Sequence, residues 1–316
     1  MKIFIAGGAG FIGRWLGKTL LERGHEVTVC DVKSPTEAEE IFRDVFEKPT
    51  FRYLWKASFD IQPEDLQGHE IICALNAQAD VPLGISSPVH TILQNVSGLV
   101  PILEAARRTG CKKFFIPSTG NVFGRPPKIP IDETCAPTPH NPYAASKVAQ
   151  EALALSYWRA YGVPVVILRN NIIYGEGMRR GIFLYVWLKA LLQGRPIMVE
   201  GGDQTRDPCY ITDALDAWMR SIEAPEEKVA GEIFQISSGK EYTVADIAKL
   251  CTKLVPGEVI YRDHRPGEKG QRESFDISKA RNVLGYNPSV DLEEGLLRTK
   301  EWIQKTLVSE EYFKKA

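Results

Sequence analysis

Three side chains in the middle of the sequence have the types and spacing for proton transfer: Thr119, Tyr143 and Lys147. Tyr143 and Lys147 stand four residues apart in Asn141-Pro142-Tyr143-Ala144-Ala145-Ser146-Lys147, so a helix would place them one turn apart on one face. A free phenol ionises near pH ~10. A neighbouring ammonium stabilises the phenolate and lowers that value, which makes the pair a proton acceptor near neutral pH. Thr119 follows the apolar run Phe114-Phe115-Ile116, which reads as a buried strand, and so belongs at its C-terminal end. Ligands of open α/β sheets bind at that edge. Taken alone, a Tyr-x-x-x-Lys spacing also fits an exposed helical pair. The elements around it give it weight.

The first of these elements is at the start of the chain. Lys2-Ile3-Phe4-Ile5-Ala6 reads as a buried strand and Gly7-Gly8-Ala9-Gly10-Phe11-Ile12-Gly13 as a turn. An amphipathic run from Arg14 to Arg23 and a second strand, Val27 to Asp31, complete a βαβ unit. Gly8, Gly10 and Gly13 satisfy G-x-G-x-x-G; Gly7, Gly10 and Gly13 satisfy G-x-x-G-x-x-G. With strand before and helix after, such a turn lets backbone approach a pyrophosphate at a helix N-terminus. Asp31 ends the second strand, where a carboxylate hydrogen-bonds the ribose of NAD and repels the 2′-phosphate of NADP.

Strands and helices then alternate. Phe51 to Trp55 is followed by Asp60, in position to approach an adenine. Ile71 to Leu75 leads to Asn76-Ala77-Gln78. Helices are predicted over 88–108, holding Asn95, and 141–161, holding Tyr143 and Lys147; Val163 to Leu168 is the next strand. This rhythm predicts a doubly wound α/β fold of Rossmann type, a parallel sheet covered on both faces. Beyond Arg169 the pattern changes. Helices are predicted at 182–192, at 211–222 with Asp213 at its start, and from Thr243 onward, with a strand at Phe234-Gln235-Ile236. The expected division is a cofactor domain over 1–170 plus about 211–236, and a smaller α/β lobe over 171–210 and 237–316. Arg262, Arg265 and Arg272 fall in one loop and read equally as surface charge or as a diphosphate cradle.

Composition excludes several function classes. The 316 residues are 25% charged and 44% hydrophobic with a net charge of −1, and no Lys/Arg cluster suggests nucleic acid. The six cysteines are scattered without a Cys-x-x-Cys, which fits core thiols in the cytoplasm. The five histidines lack metal-ligand spacing, so no metal is expected. No signal-peptide pattern opens the sequence, and no apolar run would span a bilayer.

Several further motifs occur in a fixed order: Asn95-Val96-Ser97-Gly98, Ser118-Thr119, Val122-Phe123-Gly124, Leu168-Arg169, Tyr174-Gly175, Gly202-Asp203-Gln204-Thr205-Arg206-Asp207, Arg265-Pro266-Gly267-Glu268 and Leu284-Gly285-Tyr286-Asn287-Pro288. With the glycine turn and Pro142 to Lys147, they cover nearly the whole chain. The sequence resembles the extended short-chain dehydrogenase/reductases, specifically the NAD-dependent nucleotide-sugar epimerases and dehydratases of UDP-glucose 4-epimerase type. The resemblance implies that Tyr143 takes the proton of a sugar hydroxyl while its carbon gives hydride to NAD. Thr119 would bond the same oxygen, and Lys147 would bind the nicotinamide ribose. It places Gly7, Gly10, Phe11, Ile12, Gly13, Asp31, Asp60, Ile61, Leu75, Ala77 and Asn95, with Tyr143 and Lys147, along the cofactor. Thr119, Gly120, Asn121, Asn171, Arg206 and Arg265 would bind a nucleoside diphosphate sugar. It also implies a homodimer formed by the Asn95 and Tyr143 helices.

The two residues after the catalytic Ser/Thr separate the chemistries of that family. In 4,6-dehydratases they are Asp-Glu, and in decarboxylating members a Glu precedes the Val. Here Gly120 and Asn121 stand there, and neither transfers protons as a carboxylate does. That points to oxidation followed by re-reduction, an epimerisation at C4 through a transient 4-keto sugar. Asp132 and Glu133 read as surface acids beyond the loop. Ile172 replaces the family's usual Asn, with Asn170 and Asn171 just before it. Two other readings remain beside this one: a net ketoreductase or dehydrogenase, and a non-catalytic NAD-sensing module, which would have no need of Thr119, Tyr143 and Lys147 together.

Overall fold

The apolar runs assemble into one parallel sheet. The structure, a computed structural model, describes residues 1–264 and 269–315, with 309–315 by their backbone alone. In chain order the sheet and its covering helices are β1 (Lys2–Ala6), α1 (Phe11–Glu22), β2 (Glu26–Asp31), β3 (Phe51–Trp55), β4 (Ile71–Ala74), α2 (Pro88–Asn95), α3 (Val100–Thr109), β5 (Lys113–Thr119), α4 (Pro142–Tyr161), β6 (Val165–Asn170), α5 (Ile211–Glu223) and β7 (Ile233–Ile236). The strands lie in the order β7-β6-β5-β4-β1-β2-β3, every pair parallel. This is the doubly wound arrangement expected from the sequence, with the strand predicted at Phe234-Gln235-Ile236 pairing at the β6 edge.

Side chains alternate between two cores, as the two-residue period of a strand requires. Ile3, Ile5, Phe115, Val166 and Leu168 pack with Leu16 of α1 and Trp218 of α5. Phe4, Ile72, Phe114, Ile116 and Ile167 pack with Ile102 of α3 and Ala154 of α4. Strands buried on both faces read as continuous apolar runs, which is why the sequence displayed them plainly.

Three local expectations change. The predicted 88–108 helix is broken: α2 ends at Asn95, a 3-10 turn covers Ser97–Leu99, and α3 begins at Val100. Pro101 supplies no backbone donor, and a Cβ on Gly98 would come within 3.1 Å of Ser58 Oγ, so the break seats against the 3-10 turn Ser58–Asp60. Arg262 lies in a strand, Val259–Arg262, parallel to Ile197–Glu200, rather than in a loop. Asp213 does not cap α5. Its carboxylate accepts from Ser289 N at 3.1 Å and Val290 N at 3.0 Å, tying down the chain before the Leu292–Lys315 helix. Among the described residues no helix is long and apolar enough to cross a membrane.

Lys113 opens β5 and is buried, at 6% exposure. Its ammonium donates to Ile222 O at 2.5 Å and also to Ala224 O, carbonyls at the C-terminal end of α5. A helix leaves its last carbonyls without internal donors, and a cation suits that end of its dipole. Lys113 thus pins α5 to the sheet. Lys113→Met keeps the length and strips those carbonyls of their donor. It is expected to cost about 2–3 kcal/mol in chemical denaturation; unchanged stability would mean that water replaces the ammonium there.

Candidate functional site

Strand order reverses between β1 and β4, which opens a crevice at their carboxyl ends. A cavity of about 470 Å³ occupies it, lined among others by Gly7, Gly10, Asp31, Leu75 and Ala77 of the expected cofactor residues, with Asn76 and Gln78 beside them. Gly7 has φ +70°, and a Cβ there would lie 2.6 Å from Asn76 N. A Cβ on Gly13 would lie 2.6 Å from Gly8 Cα, so the helix packs directly on its turn. No side chain caps α1, so the turn presents the first helical N–H groups of Phe11 and Ile12 to a ligand. Asp31 Oδ2 accepts from Ala9 N at 2.9 Å and Oδ1 from Lys33 N at 3.2 Å, which fixes the carboxylate at the rim. Asn76 Oδ1 and Gln78 Oε1 are buried without a protein partner.

Other expected cofactor residues stand outside this wall. Asp60 is exposed on the 3-10 turn and Ile61 belongs to the core beneath; Lys56 and Ser58 line the cavity instead. Asn95 is fully buried and positions the wall rather than lining it. Its Oδ1 accepts from Gln78 N at 2.7 Å, and its Nδ2 donates to Gln78 O at 2.9 Å and Ser146 Oγ at 2.8 Å.

Thr119 and Tyr143 meet at the sheet edge, with Lys147 one turn further along α4. Asn141 caps α4 by accepting from Ala144 N at 2.8 Å, with Pro142 in the first turn, so Tyr143 and Lys147 share the helix's opening turns. Thr119 ends β5, and its side chain is hydrogen-bonded to Tyr143. Asn121 folds back on it, with N and Nδ2 each 3.2 Å from Thr119 Oγ1. Burial raises the Tyr143 pKa, and the Arg179 charge and the Thr119 hydrogen bond oppose that rise. The sequence pointed to Lys147 as the acidifying charge. Lys147 instead donates to Gln150 Oε1 at 2.5 Å, and burial brings its pKa down to about 8 against the pull of Glu151.

On the substrate side, Gly120 is tightly enclosed. A Cβ there would fall 1.8 Å from Asn171 Oδ1 and 2.5 Å from Phe275 Cζ. Asn171 is turned toward Ile236, donating to its carbonyl from N at 3.0 Å and Nδ2 at 3.4 Å. Arg206 donates to Thr205 O at 2.8 Å and pairs with Glu273 at 3.5 Å. Arg265 lies outside the described residues. Arg272 is engaged by Glu241 at 2.5 Å. Asp132 pairs with Lys128 near the surface, as a surface acid would. Glu133 does not: it is half-buried, its carboxylate accepts from Gln235 N at 2.8 Å, and burial raises its pKa.

Sequence reasoning missed seven residues that shape this site: Lys56, Ser58, Asn76 and Gln78 in the cavity wall, Gln150 on Lys147, Arg179 near Tyr143, and Phe275 against Gly120. Asn76 and Gln78 carried a legible signal, two amides directly after an apolar strand. Phe275 and Arg179 come from distant segments and carried none.

The enclosure of Gly120 makes a direct prediction. Gly120→Ala must displace Asn171 or Phe275, at about 1–3 kcal/mol. A lower melting temperature together with lost sugar-nucleotide affinity is expected; a variant unchanged in both would show that the turn has slack.

With this geometry in place, the relatives can be compared. Residues 3–237 match the family described as NAD dependent epimerase/dehydratase. A UDP-glucose 4-epimerase of Mycolicibacterium smegmatis is 32% identical over 318 residues, covering 96% of this chain and 99% of the relative. A UDP-N-acetyl-alpha-D-glucosaminuronate decarboxylase of Bacillus cytotoxicus is also 32% identical, over 324 residues, covering 96% and 98%. The structure of UDP-glucuronic acid 4-epimerase from Bacillus cereus, in complex with UDP-glucuronic acid and NAD, superposes with a TM-score of 0.90 at 26% identity, covering 97% of this chain and all of that one. Equal identity to an epimerase and a decarboxylase leaves the reaction to be read from the site, but the kinship is common to both: the chain belongs to the NAD-dependent epimerase/dehydratase family.

Proposed function

We propose that the protein is an NAD-dependent epimerase that inverts C4 of a nucleoside diphosphate sugar, with UDP, the nucleotide named for its 4-epimerase relatives, as the carrier. The enclosure of Gly120 carries this reading. Where the 4,6-dehydratases hold an acid and a base, this chain has a glycine without room for a side chain and an asparagine bound to Thr119. The next carboxylate along the chain that is not at the surface, Glu133, is bound to the main chain of β7. Elimination lacks its proton donor and acceptor, so a hydride removed from C4 returns to C4.

NAD is the family's cofactor, and when bound it takes and returns that hydride. The cavity fits it: the glycine turn and the uncapped start of α1 suit a pyrophosphate, and the unpartnered oxygens of Asn76 and Gln78 await donors. Gly7, Gly10, Phe11, Ile12 and Gly13 would hold the diphosphate, Asp31 the adenosine ribose, and Lys147 the nicotinamide ribose. Lys56 and Ser58 would face the adenine, where the sequence pointed to Asp60 and Ile61. Tyr143 takes the proton of the reacting hydroxyl and gives it back, with Thr119 bonded to the same oxygen. Arg206 and Arg265 bind the nucleotide half from a lobe formed by 171–210 and 237–316, against a cofactor domain of 1–170 with about 211–236.

The same reading includes a homodimer built on α2 and α4. Val89 and Leu93 of α2 are 72% and 49% exposed, and Ile85 just before them is 62% exposed, an apolar strip suited to burial against a second copy. A cytoplasmic home suits the six free thiols.

The test is product analysis on a panel of UDP-, dTDP-, GDP- and CDP-sugars, one of them deuterated at C4. The epimer should keep its mass and its label, with no solvent deuterium at C5. Loss of one water with deuterium at C5, or accumulation of NADH, would defeat the proposal. A second measurement addresses the cofactor: calorimetry should find NAD bound more tightly than NADP, and Asp31→Ala should narrow that gap.

A further inference from the structure

Lys147 is 3% exposed, and so is Gln150, one turn further along α4. An ammonium has three donors. One of them goes to Gln150 Oε1 at 2.5 Å, and the other end of that amide, Nε2, donates to Asn95 O at 2.6 Å. Asn95 is the last residue of α2, so its carbonyl lies beyond the helix's own donors. The Gln150 amide is therefore clamped at both ends and cannot turn without breaking two buried hydrogen bonds. The chain of bonds continues through the Asn95 side chain to Gln78, in the wall of the cofactor cavity, and through Ser146 to Tyr143 O at 2.7 Å.

We propose that Gln150 is the positioning residue of Lys147, fixing the direction of its ammonium and holding it in the charged form. The inference rests on the reading of Lys147 as part of the catalytic trio. With one donor committed to Gln150, the remaining two point along fixed directions, and a ribose finds them already aimed. The charges around Lys147 do not fix this direction. Glu151, on the same helix, is paired with Arg169 of β6 at 2.7 Å and 2.9 Å. Tyr143 stands one turn earlier on α4, where Arg179 acts on it. From α2 the group bonded to this pair, the Asn95 carbonyl, is neutral. Burial favours the uncharged amine; the Glu151 charge opposes it from further off, and the Gln150 carbonyl dipole does so at contact distance.

The test uses Gln150→Met, which keeps the length and removes the acceptor, and Gln150→Glu, which keeps the shape and strengthens it. The Lys147 titration is followed in the full chain by NMR of ¹⁵N-labelled lysine side chains, assigned with Lys147→Arg. The Met variant should titrate below the wild type by about one pH unit, the worth of a hydrogen bond to a charged group. NAD should bind more weakly to it, and the alkaline limb of its kcat/KM profile should move down by the same amount. The Glu variant should titrate above the wild type. Identical titration in wild type and variants overturns the proposal; if the Met variant does not fold, the Glu variant decides alone. Tyr143→Phe separates the two layers of the argument. Its turnover should fall by about two to four orders of magnitude. If it does not, the catalytic reading fails while the titration still judges Gln150. If it does and the titration is unmoved, Gln150 alone is wrong.

Discussion

The bidentate pair between Arg169 and Glu151 holds the rest of the site in register. Both side chains are buried, at 3% and 6% exposure, and two bonds of 2.7 Å and 2.9 Å join them. Arg169 comes from β6, beside Ser118 of β5, and Glu151 from the middle of α4. A bidentate pair fixes direction as well as distance, so it sets both the rotation and the axial position of α4 over the sheet. Two turns before Glu151, Tyr143 then meets Thr119 at the strand end. Losing either partner would leave an uncompensated buried charge, at about 3–5 kcal/mol. The alignment of Tyr143 with Thr119 is therefore held by an ion pair further along the helix.

Burial acts in opposite senses on the two titrating residues. It pushes the Tyr143 phenol up and the Lys147 ammonium down to about 8, so each is driven toward its neutral form. On Tyr143 the Thr119 hydrogen bond and the partly exposed charge of Arg179, which Asp80 holds at 3.8 Å, oppose this; on Lys147 the charge of Glu151 does. Groups held in fixed positions supply such stabilisation without rearranging, the usual source of a site's electrostatic advantage.

The sheet and its order were legible because doubly covered strands are continuous apolar runs, and each glycine-bearing turn falls where the backbone needs it. Thr119, Tyr143 and Lys147 were legible because strand end and helix turn are local features. What failed was local too, where a distant contact overrides the pattern. The helix expected through Asn95 breaks because Gly98 seats against Ser58. Asp60 looked like a wall residue but stands on the exposed side of its 3-10 turn. Glu133 looked like a surface acid, yet β7 returns 102 positions later to bind it. The partner of Lys147 was adjacent in sequence and still unread, since a glutamine one turn on is an ordinary helix residue until its burial is known.

The segment around Phe275 packs against the turn that follows Thr119. Ile131 N donates to Ser274 O at 2.7 Å and Asp276 N to Ile131 O at 2.8 Å, a short bridge between the loop after β5 and the C-terminal part. Phe275 N is held by the buried carboxylate of Asp207 at 3.2 Å, while its ring closes over Gly120. Thr205 N meets Gln271 O at 3.0 Å on the same segment, next to Arg206. The strand that holds Thr205 and Arg206 and the turn that holds Gly120 are thus both tied to the 271–276 segment. A substitution between Gln271 and Asp276 would therefore be felt at Gly120, although nothing in the sequence around that turn announces the dependence.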